Sequence, residues 1–159
     1  MNETILLAIS LIKQGEGFRA SEYLCPAGKP SIGYGRNLEA FPLNEDEKRQ
    51  CYLNGLGELC VSENIASDWL KDAVIRIHND LLNEDYFIGG ASRKAVIVDL
   101  VYNLGKKKFL TFKKFIQAMR EQDFERASAE IVDSRYYKQT GSRAKRNAEI
   151  IKSGNLNNL

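Results

Sequence analysis

Three side chains in one glycine-rich segment near the N-terminus are of types that catalyse hydrolysis. Glu16 lies between two glycines where an apolar helix ends, Cys25 follows in a Pro/Gly-rich turn, and Ser31 follows on a predicted strand. The C-terminus of a helix disfavours negative charge, so a carboxyl group there favours its protonated form. Such a group can act as a general acid. The residues alone leave open a second interpretation: a surface glutamate, a buried structural cysteine and a turn serine.

The hydrophobic pattern predicts the elements that hold these residues. Apolar residues at helical spacing predict a helix over residues 3–13, which the following glycines stop. Proline and glycine punctuate residues 18–35, which favours short hairpin strands with tight turns. We therefore predict an α+β fold in a single domain. A small strand-bearing N-terminal lobe, about residues 14–61, accompanies a larger helical lobe, about residues 1–13 plus 62–159.

Most of the remaining chain is predicted to be helical. Asn44 and Glu47 have the spacing of a capping box ahead of a short helix. Ser62 starts a long helix with one apolar stripe, and residues 93–104 are apolar nearly all round, which is typical of a helix buried by others. The stripe comprises Ile65, Trp69, Ala73, Val74, Ile77 and Leu81. Further helices are predicted over residues 109–121, 123–133 and 143–152.

Composition excludes several function classes. The chain has 159 residues, 43% hydrophobic and 28% charged, which is ordinary for a globular protein. No apolar run approaches the ~18 residues of a membrane span, and the N-terminal apolar stretch lacks the features of a signal peptide. Three cysteines cannot all pair within the chain, which favours synthesis in a reducing compartment. The one histidine, His78, excludes a multi-histidine zinc site and is predicted to be solvated or capping.

Charge is distributed unevenly along the chain. Residues 1–100 carry 10 basic and 15 acidic side chains, whereas residues 101–159 carry 13 and 6. A basic C-terminal part suggests an anionic partner such as nucleic acid, a cell-wall polymer or acidic lipid, or else a solvated helix surface rich in lysine. The densest basic run is Lys106 to Lys108 with Lys113 and Lys114. No nucleic-acid motif is present, so we expect no nucleic-acid partner.

Three separated motifs carry a family resemblance. They are EGFRxxxYLCPAGxPSIGYG from Glu16, SRKAVIVDLVYNLG from Ser92, and SRYYKQTGSRAKRNAEIIKSG from Ser134. In this order they resemble the phage-type lysozymes, glycoside hydrolase family 24, and the likeness is weakest over residues 37–60. The resemblance implies a two-lobed lysozyme-like fold with a long helix joining the lobes. It also implies hydrolysis of the β-1,4 bond between N-acetylmuramic acid and N-acetylglucosamine in peptidoglycan.

The resemblance implies roles for individual residues. Glu16 matches the glutamate that protonates the leaving glycosidic oxygen. Cys25 matches a position usually held by aspartate, and Ser31 one usually held by threonine. Arg143 matches the arginine that pairs with the catalytic glutamate in this family. Family members line the sugar cleft at the positions of Tyr102, Asn103, Phe112 and Glu130.

Three residues depart from the family pattern, and serine in place of threonine at position 31 is a mild change because it keeps the hydroxyl group. Glycoside hydrolysis needs a second group that deprotonates water or attacks the anomeric carbon, and a free thiol is mostly protonated at neutral pH. As a thiolate, Cys25 could be the nucleophile of a retaining reaction; alternatively, Ser31 orients the attacking water and Cys25 is an electrostatic partner. Arg36 stands where the family has a histidine paired with an aspartate, so we expect Arg36 to pair with Asp72.

The sequence therefore predicts an endolysin-type muramidase, a bacteriolytic enzyme of phage or prophage origin that acts as a monomer. We expect synthesis in the cytoplasm of the host bacterium and passage through a holin-type lesion to the wall in the periplasm, without stable membrane insertion. No cofactor or metal is implied. The alternative is a catalytically weak or inactive relative that binds peptidoglycan, which the cysteine at position 25 motivates.

Overall fold

A computed structural model describes residues 1–156, which hold nine helices and one five-stranded antiparallel sheet. The predicted α+β class is confirmed. The chain divides into two compact units. We call Ile12–Ala73 the β unit, and Met1–Leu11 with Val74–Leu159 the helical unit. Both boundaries fall inside helices, and the lobe limits predicted from the sequence stay a prediction.

The β unit contains the sheet, whose strand order is β3-β2-β1-β5-β4. The strands are β1 (Arg19–Leu24), β2 (Pro30–Gly33), β3 (Arg36–Asn37), β4 (Tyr52–Leu53) and β5 (Leu59–Cys60). All neighbouring pairs are antiparallel. The hairpin strands predicted over residues 18–35 are confirmed. The β4–β5 hairpin was not predicted; the Asn54 side chain holds its turn by accepting hydrogen bonds from the backbone N–H groups of Leu56 and Glu58.

Helix α1 (Glu3–Glu16) runs three residues beyond its predicted end. Gly15 is helical, and the helix stops at Gly17, which has a φ of +69° and donates its N–H to Lys13 O at 3.0 Å. A left-handed residue after the last turn is a common helix terminator, and glycine adopts it without a Cβ clash. As a result, Glu16 is the last residue of α1, and the chain changes direction at Gly17 before it enters β1.

Helix α2 (Glu45–Gln50) begins with the predicted capping box. Asn44 Oδ1 accepts the N–H of Glu47 at 2.8 Å, and Glu47 Oε1 accepts the N–H of Asn44 at 3.2 Å. These reciprocal bonds satisfy two N–H groups that a helix start otherwise leaves without partners. The prediction is confirmed.

Helix α3 (Glu63–Leu81) starts at the predicted place, directly after Ser62. Its buried face is rotated about the helix axis relative to the predicted apolar stripe. The buried positions are Ala66, Leu70, Val74, His78 and Leu81. Trp69 is only half-buried. The prediction that His78 is solvated is wrong, because it is 6% exposed and meets Phe87 edge-on at 5.7 Å.

The helical unit is built around α4 (Gly90–Leu104). Seven consecutive residues, Ala95–Val101, are buried, which confirms the prediction of a helix covered on all sides. The other helices are α5 (Lys106–Phe109), α6 (Lys113–Arg120), α7 (Phe124–Val132), α8 (Arg135–Thr140) and α9 (Ser142–Ser153). The helix predicted over 109–121 is thus two helices, and α8 was not predicted. No helix in residues 1–156 has the length and apolar character needed to cross a membrane.

Candidate active site

The carboxyl group of Glu16 lies against the backbone of a tight turn. This turn, Tyr34-Gly35, connects β2 to β3, and Gly35 has a φ of +72°. A Cβ atom added to Gly35 would lie 2.5 Å from both Cδ and Oε2 of Glu16. Only glycine therefore leaves room for the half-buried carboxyl group, and the backbone fixes one side of its surroundings.

Tyr34 holds this turn in place within the β unit. Its side chain is 6% exposed, and its hydroxyl group donates to Glu63 Oε1 at 2.5 Å. The ring centroid lies 5.6 Å from that of Phe18 and 4.9 Å from Lys13 Nζ. The turn beside Glu16 is consequently tied to α1, to the residue before β1 and to α3.

Replacing Gly35 by alanine is expected to lower the rate of the hydrolysis predicted from the sequence by at least about tenfold, because misplacing the predicted catalytic group by about an ångström costs this much or more. The new methyl group would push the Glu16 carboxyl group aside. The matched control is Gly57→Ala, since Gly57 has a φ of +76° and a Cβ added there would have nothing within 4 Å. Equal activity losses in the two variants, measured alongside thermal unfolding, would contradict the steric explanation.

Cys25 and Ser31 both bond to the backbone of Lys29. Cys25 begins a turn in which its N–H donates to Lys29 O at 2.9 Å, and the N–H of Lys29 donates to Cys25 Sγ at 3.4 Å. The Ser31 hydroxyl group donates to Lys29 O at 3.2 Å and is 3% exposed. The short connection between β1 and β2 therefore fixes the thiol and the hydroxyl group relative to each other.

Tyr23 links the three candidate residues, and our sequence reasoning missed it. It lies in β1 opposite Ser31 in the strand register. Burial, then the negative charge of Glu16, raises the pKa of Tyr23, while the Arg19 guanidinium, 4.6 Å from its ring centroid, lowers it and Cys25 raises it further. Glu16 and Cys25 thus both act electrostatically on one side chain. The sequence of β1, Arg19–Leu24, has no regular alternation of polar and apolar residues that would have identified Tyr23.

Arg143, in α9, forms a buried ion pair with Asp99 of α4. Arg143 Nη2 lies 2.6 Å from Asp99 Oδ1, and its Nε donates to Oδ2 at 3.2 Å. Arg146 Nη2 and Asn147 Nδ2 donate to Asp99 Oδ2 at 3.3 and 2.7 Å. Asn147 also donates to the hydroxyl group of Tyr136 in α8 at 2.9 Å. Asp99 was not among the residues predicted to form the site. The feature of the sequence that could have identified it is an acidic residue inside an otherwise apolar helix.

The other predicted cleft residues lie in the helical unit and are half-buried. Tyr102 and Asn103 are in the last turn of α4, Phe112 precedes α6, and Glu130 is in α7. Glu16, Cys25 and Ser31 belong to the β unit. The role of Arg143 beside Glu16 and the sugar contacts of the other four residues stay predictions.

The prediction that Arg36 pairs with Asp72 is wrong. Arg36 forms an ion pair with Glu47, to which its Nη2 donates at 3.1 Å, and its Nε donates to Phe41 O at 3.0 Å. The guanidinium also lies 5.0 Å from the ring centroid of Trp69. The capping glutamate of α2 therefore supplies the counter-ion, and Arg36 ties β3 to α2 and α3.

The stability of the buried ion-pair cluster is expected to depend on alkaline pH through Tyr136. Burial, then the charge of Asp99, raises the pKa of Tyr136 from 10.0 to about 12. The folded chain keeps this proton while the unfolded chain loses it between about pH 10 and 12. The free energy of unfolding should therefore fall over that interval by about 1.4 kcal/mol per pH unit and be unaffected below it. Urea denaturation of Tyr136→Phe should show a shallower decline; an equal decline would contradict the assignment.

All three cysteines are free thiols, and Cys60 is buried while Cys25 and Cys51 are half-buried. Burial raises the pKa of the Cys51 thiol, and the neighbouring Glu47 carboxylate raises it further. Within residues 1–156, no three histidine, cysteine, aspartate or glutamate side chains are grouped so that they could hold a metal ion.

The sequence matches known proteins over most of its length. Residues 13–149 match the family described as phage lysozyme. The chain is 26% identical to "Probable T4-type lysozyme 1" of Dictyostelium discoideum, over 92% of this chain and 94% of that protein. It is 25% identical to "Pre-baseplate central spike protein Gp5" of Enterobacteria phage T4, over 92% of this chain and 28% of that longer protein.

Proposed function

This chain belongs to the phage lysozyme family, and we propose that it is a muramidase that hydrolyses the β-1,4 bond between N-acetylmuramic acid and N-acetylglucosamine in peptidoglycan. The observation that carries the proposal is the position of Glu16, whose carboxyl group is held against the Gly35 turn in the unit that also contains Cys25 and Ser31. The similarity to a T4-type lysozyme over nearly the whole of both chains supports the same activity.

In this proposal Glu16 is the general acid. It donates its proton to the glycosidic oxygen as the bond to the anomeric carbon breaks, so that the leaving sugar departs as a neutral alcohol. Two features support this role. Glu16 is the last residue of α1, directly before the turn into β1, and its carboxyl group lies so near Gly35 that a Cβ atom added there would be 2.5 Å from it.

Cys25 or Ser31 supplies the second function that glycoside hydrolysis needs. In one route the Cys25 thiolate attacks the anomeric carbon and the covalent intermediate is hydrolysed, with retention. In the other, Ser31 orients a water molecule that attacks the anomeric carbon with inversion and releases its proton to the solvent, with Cys25 as an electrostatic partner. The N–H of Lys29 donates to Cys25 Sγ at 3.4 Å and so orients the thiol group that the first route uses. The Ser31 hydroxyl group, bonded to Lys29 O, keeps its own oxygen available as an acceptor for water.

Replacing Cys25 by alanine is expected to lower the hydrolysis rate by about 100-fold or more. The chain would lose its nucleophile in the first route, or the electrostatic partner of the attacking water in the second. The matched control is Cys51→Ala, which removes another half-buried free thiol from the same unit. In a chain carrying Cys51→Ala and Cys60→Ala, iodoacetamide should inactivate the enzyme. The anomeric configuration of the first product, followed by NMR, separates the two routes: a β-product requires the covalent one. Full activity of Cys25→Ala would exclude both roles for the thiol.

The proposed reaction is tested by mass spectrometry of peptidoglycan digested with the purified chain. Disaccharide peptides with a reducing N-acetylmuramic acid end are expected. Products with an anhydro end would assign the chain to lytic transglycosylation, which needs no water. If the insoluble wall retains the chain but no fragment is released, the chain is a peptidoglycan-binding relative, and the proposal fails.

We further propose an endolysin role, in which the enzyme is made in the host cytoplasm and reaches the wall through a holin-type lesion. Gram-negative cells permeabilised with chloroform should then lose turbidity when the chain is added at micromolar concentration, whereas intact cells should not. Clearance of intact cells at the same rate would contradict the need for a separate lesion.

A further inference from the structure

Five lysines on two adjacent helices are not used in the proposed function. Lys106, Lys107 and Lys108 are in α5, and Lys113 and Lys114 begin α6. All five residues are exposed, and none of them is in an ion pair with any described residue. Elsewhere on the surface, Lys29, Lys48 and Lys152 each have a carboxylate partner, whereas the exposed residues Lys71, Lys138 and Lys145 have none among the described residues and are not grouped as these five are. We call these five residues the lysine patch.

A groove of about 520 Å³ opens beside the lysine patch, within the helical unit. Lys113 and Lys114 line it, and Tyr86, Leu110 and Ile116 give it apolar surface. Tyr86 and Ile116 are 2% and 5% exposed and form its floor, whereas Leu110 is 43% exposed at its edge. The groove therefore combines an apolar floor with a cationic wall.

The remaining charges at the groove nearly cancel. Arg120 bonds to Asp85 at 2.7 Å, and Arg126 bonds to Glu121 at 3.0 Å. Glu84 is the carboxylate among the groove-lining residues, which also include Lys113 and Lys114 of the patch. The lysine patch as a whole thus leaves a local excess of positive charge. The N-terminus of α6 reinforces it, because the helix dipole has its positive end there.

We propose that the lysine patch and the groove bind the surface of a membrane rich in anionic lipid. The lysines would contact phosphate headgroups, and the groove would take the glycerol and first methylene groups of one lipid. Clusters of about four to eight basic residues are typical of such surfaces, and apolar residues beside them add burial in the headgroup region. This peripheral contact needs no spanning helix, and it goes beyond the proposed hydrolysis of peptidoglycan.

A nucleic acid fits the same surface less well. Proteins that hold single strands combine a basic groove with aromatic faces on which bases stack. The aromatic ring of the groove belongs to Tyr86, which is 2% exposed and lies under the Arg120 guanidinium, 5.9 Å from the ring centroid. It offers no open face to a base, whereas aliphatic lipid groups can pack on Leu110, which is 43% exposed.

Sedimentation of the whole chain with vesicles tests the proposal. Vesicles of phosphatidylcholine are compared with vesicles that also contain about 30% phosphatidylglycerol, at ~0.05 M and ~0.3 M NaCl. We expect binding to the anionic vesicles alone, weakening by at least about fivefold at the higher salt concentration because screening shortens the range of surface charge. Absence of binding to anionic vesicles at low salt would overturn the proposal.

Two charge variants with the same net charge separate the patch from the overall charge. In the patch variant all five lysines are changed to glutamine. In the control variant five other exposed basic residues are changed to glutamine: Lys48, Arg49, Lys71, Arg76 and Lys152. The patch variant should bind anionic vesicles at least about tenfold more weakly, and the control within about twofold of the unmodified chain. Equal losses would show that net charge alone drives binding, which overturns the assigned site.

Three further measurements identify the ligand. Leu110→Ser should weaken vesicle binding without changing its salt dependence, since it removes apolar contact only. Inorganic phosphate at constant ionic strength should not displace the vesicles; displacement would assign the groove to free phosphate. Binding of a DNA strand without binding to anionic vesicles would assign the patch to nucleic acid. Hydrolysis of purified peptidoglycan by the patch variant should be unchanged, so this proposal and the proposed function can fail separately.

Discussion

Replacement of Glu16 by glutamine is expected to lower the rate of peptidoglycan hydrolysis by about 10²–10⁴-fold, the usual contribution of a general acid. Glutamine has nearly the same shape, so it should fit beside Gly35 as the acid does. It cannot donate a proton of comparable acidity to the glycosidic oxygen. The reaction would then have to expel a sugar alkoxide, which is a poor leaving group.

The matched control is Glu22→Gln. Glu22 is an exposed carboxylate in β1, in the same unit, and its substitution changes the charge by the same amount. It should leave both hydrolysis and thermal unfolding unchanged. A Glu16→Gln rate within about tenfold of the unmodified rate would place the acid elsewhere and remove the main support for the proposed mechanism.

Binding adds a readout that a merely structural defect would not produce. Glu16→Gln should still sediment with insoluble peptidoglycan, because the change affects proton transfer and not the apolar and hydrogen-bonding surface that holds sugars. Loss of turnover with retained binding is expected of a catalytic acid. Loss of both together, with a lowered unfolding temperature, would instead indicate that Glu16 supports the fold.

Features with local causes could be predicted from the sequence. The capping box of Asn44 and Glu47 depends on two side chains three residues apart, and the structure contains it. The apolar run of α4 predicted burial on all sides, and Ala95–Val101 are buried. In the candidate site, the β1–β2 connection followed from proline and glycine spacing, and it is this connection that sets Cys25 and Ser31 around Lys29.

Features that depend on distant partners could not be predicted. The contact between Gly35 and Glu16 joins a turn to a helix end nineteen residues away, and no periodicity encodes it. Arg36 was expected to pair with Asp72, but it pairs with Glu47, the glutamate of the capping box of α2. Helix α8 has only six residues, Arg135–Thr140, and depends on the Ser134 cap rather than on an apolar stripe.

Asp99 shows how a partner could have been anticipated. A single acid in a buried apolar helix needs a counter-ion, because an unpaired buried charge is costly. Arg143 and Arg146 are three residues apart, so they share a face of α9, and the structure places both on Asp99. The sequence contained both halves of this cluster, but only the family resemblance drew attention to Arg143, and it suggested a different partner.

Replacing Asp99 by asparagine is expected to lower the free energy of unfolding by about 3–5 kcal/mol, the usual cost of breaking a buried ion pair. Asp99 is 0% exposed, and Arg143 and Arg146 are each 8% exposed. Asparagine has nearly the same size as aspartate but carries no negative charge. The guanidinium groups of Arg143 and Arg146 would therefore lose the carboxylate at position 99. The cluster also joins α4 to α9 and, through Arg146 Nη1 and Leu11 O at 3.1 Å, to α1, so its loss should affect the whole helical unit.

The matched control for this loss is Asp85→Asn. Asp85 also pairs with an arginine, Arg120, but at the surface, where 68% of its side chain is exposed. Solvent screening makes such a pair worth only about 0–1 kcal/mol. The free energies of unfolding of the two variants are measured by urea denaturation and compared at an equal dependence on urea concentration. They should therefore differ by at least about 2 kcal/mol. Adding Arg146→Met to Asp99→Asn should recover part of the loss, since it removes one buried charge that residue 99 no longer neutralises. Similar losses in Asp99→Asn and Asp85→Asn would mean that burial of the cluster does not set its contribution to stability.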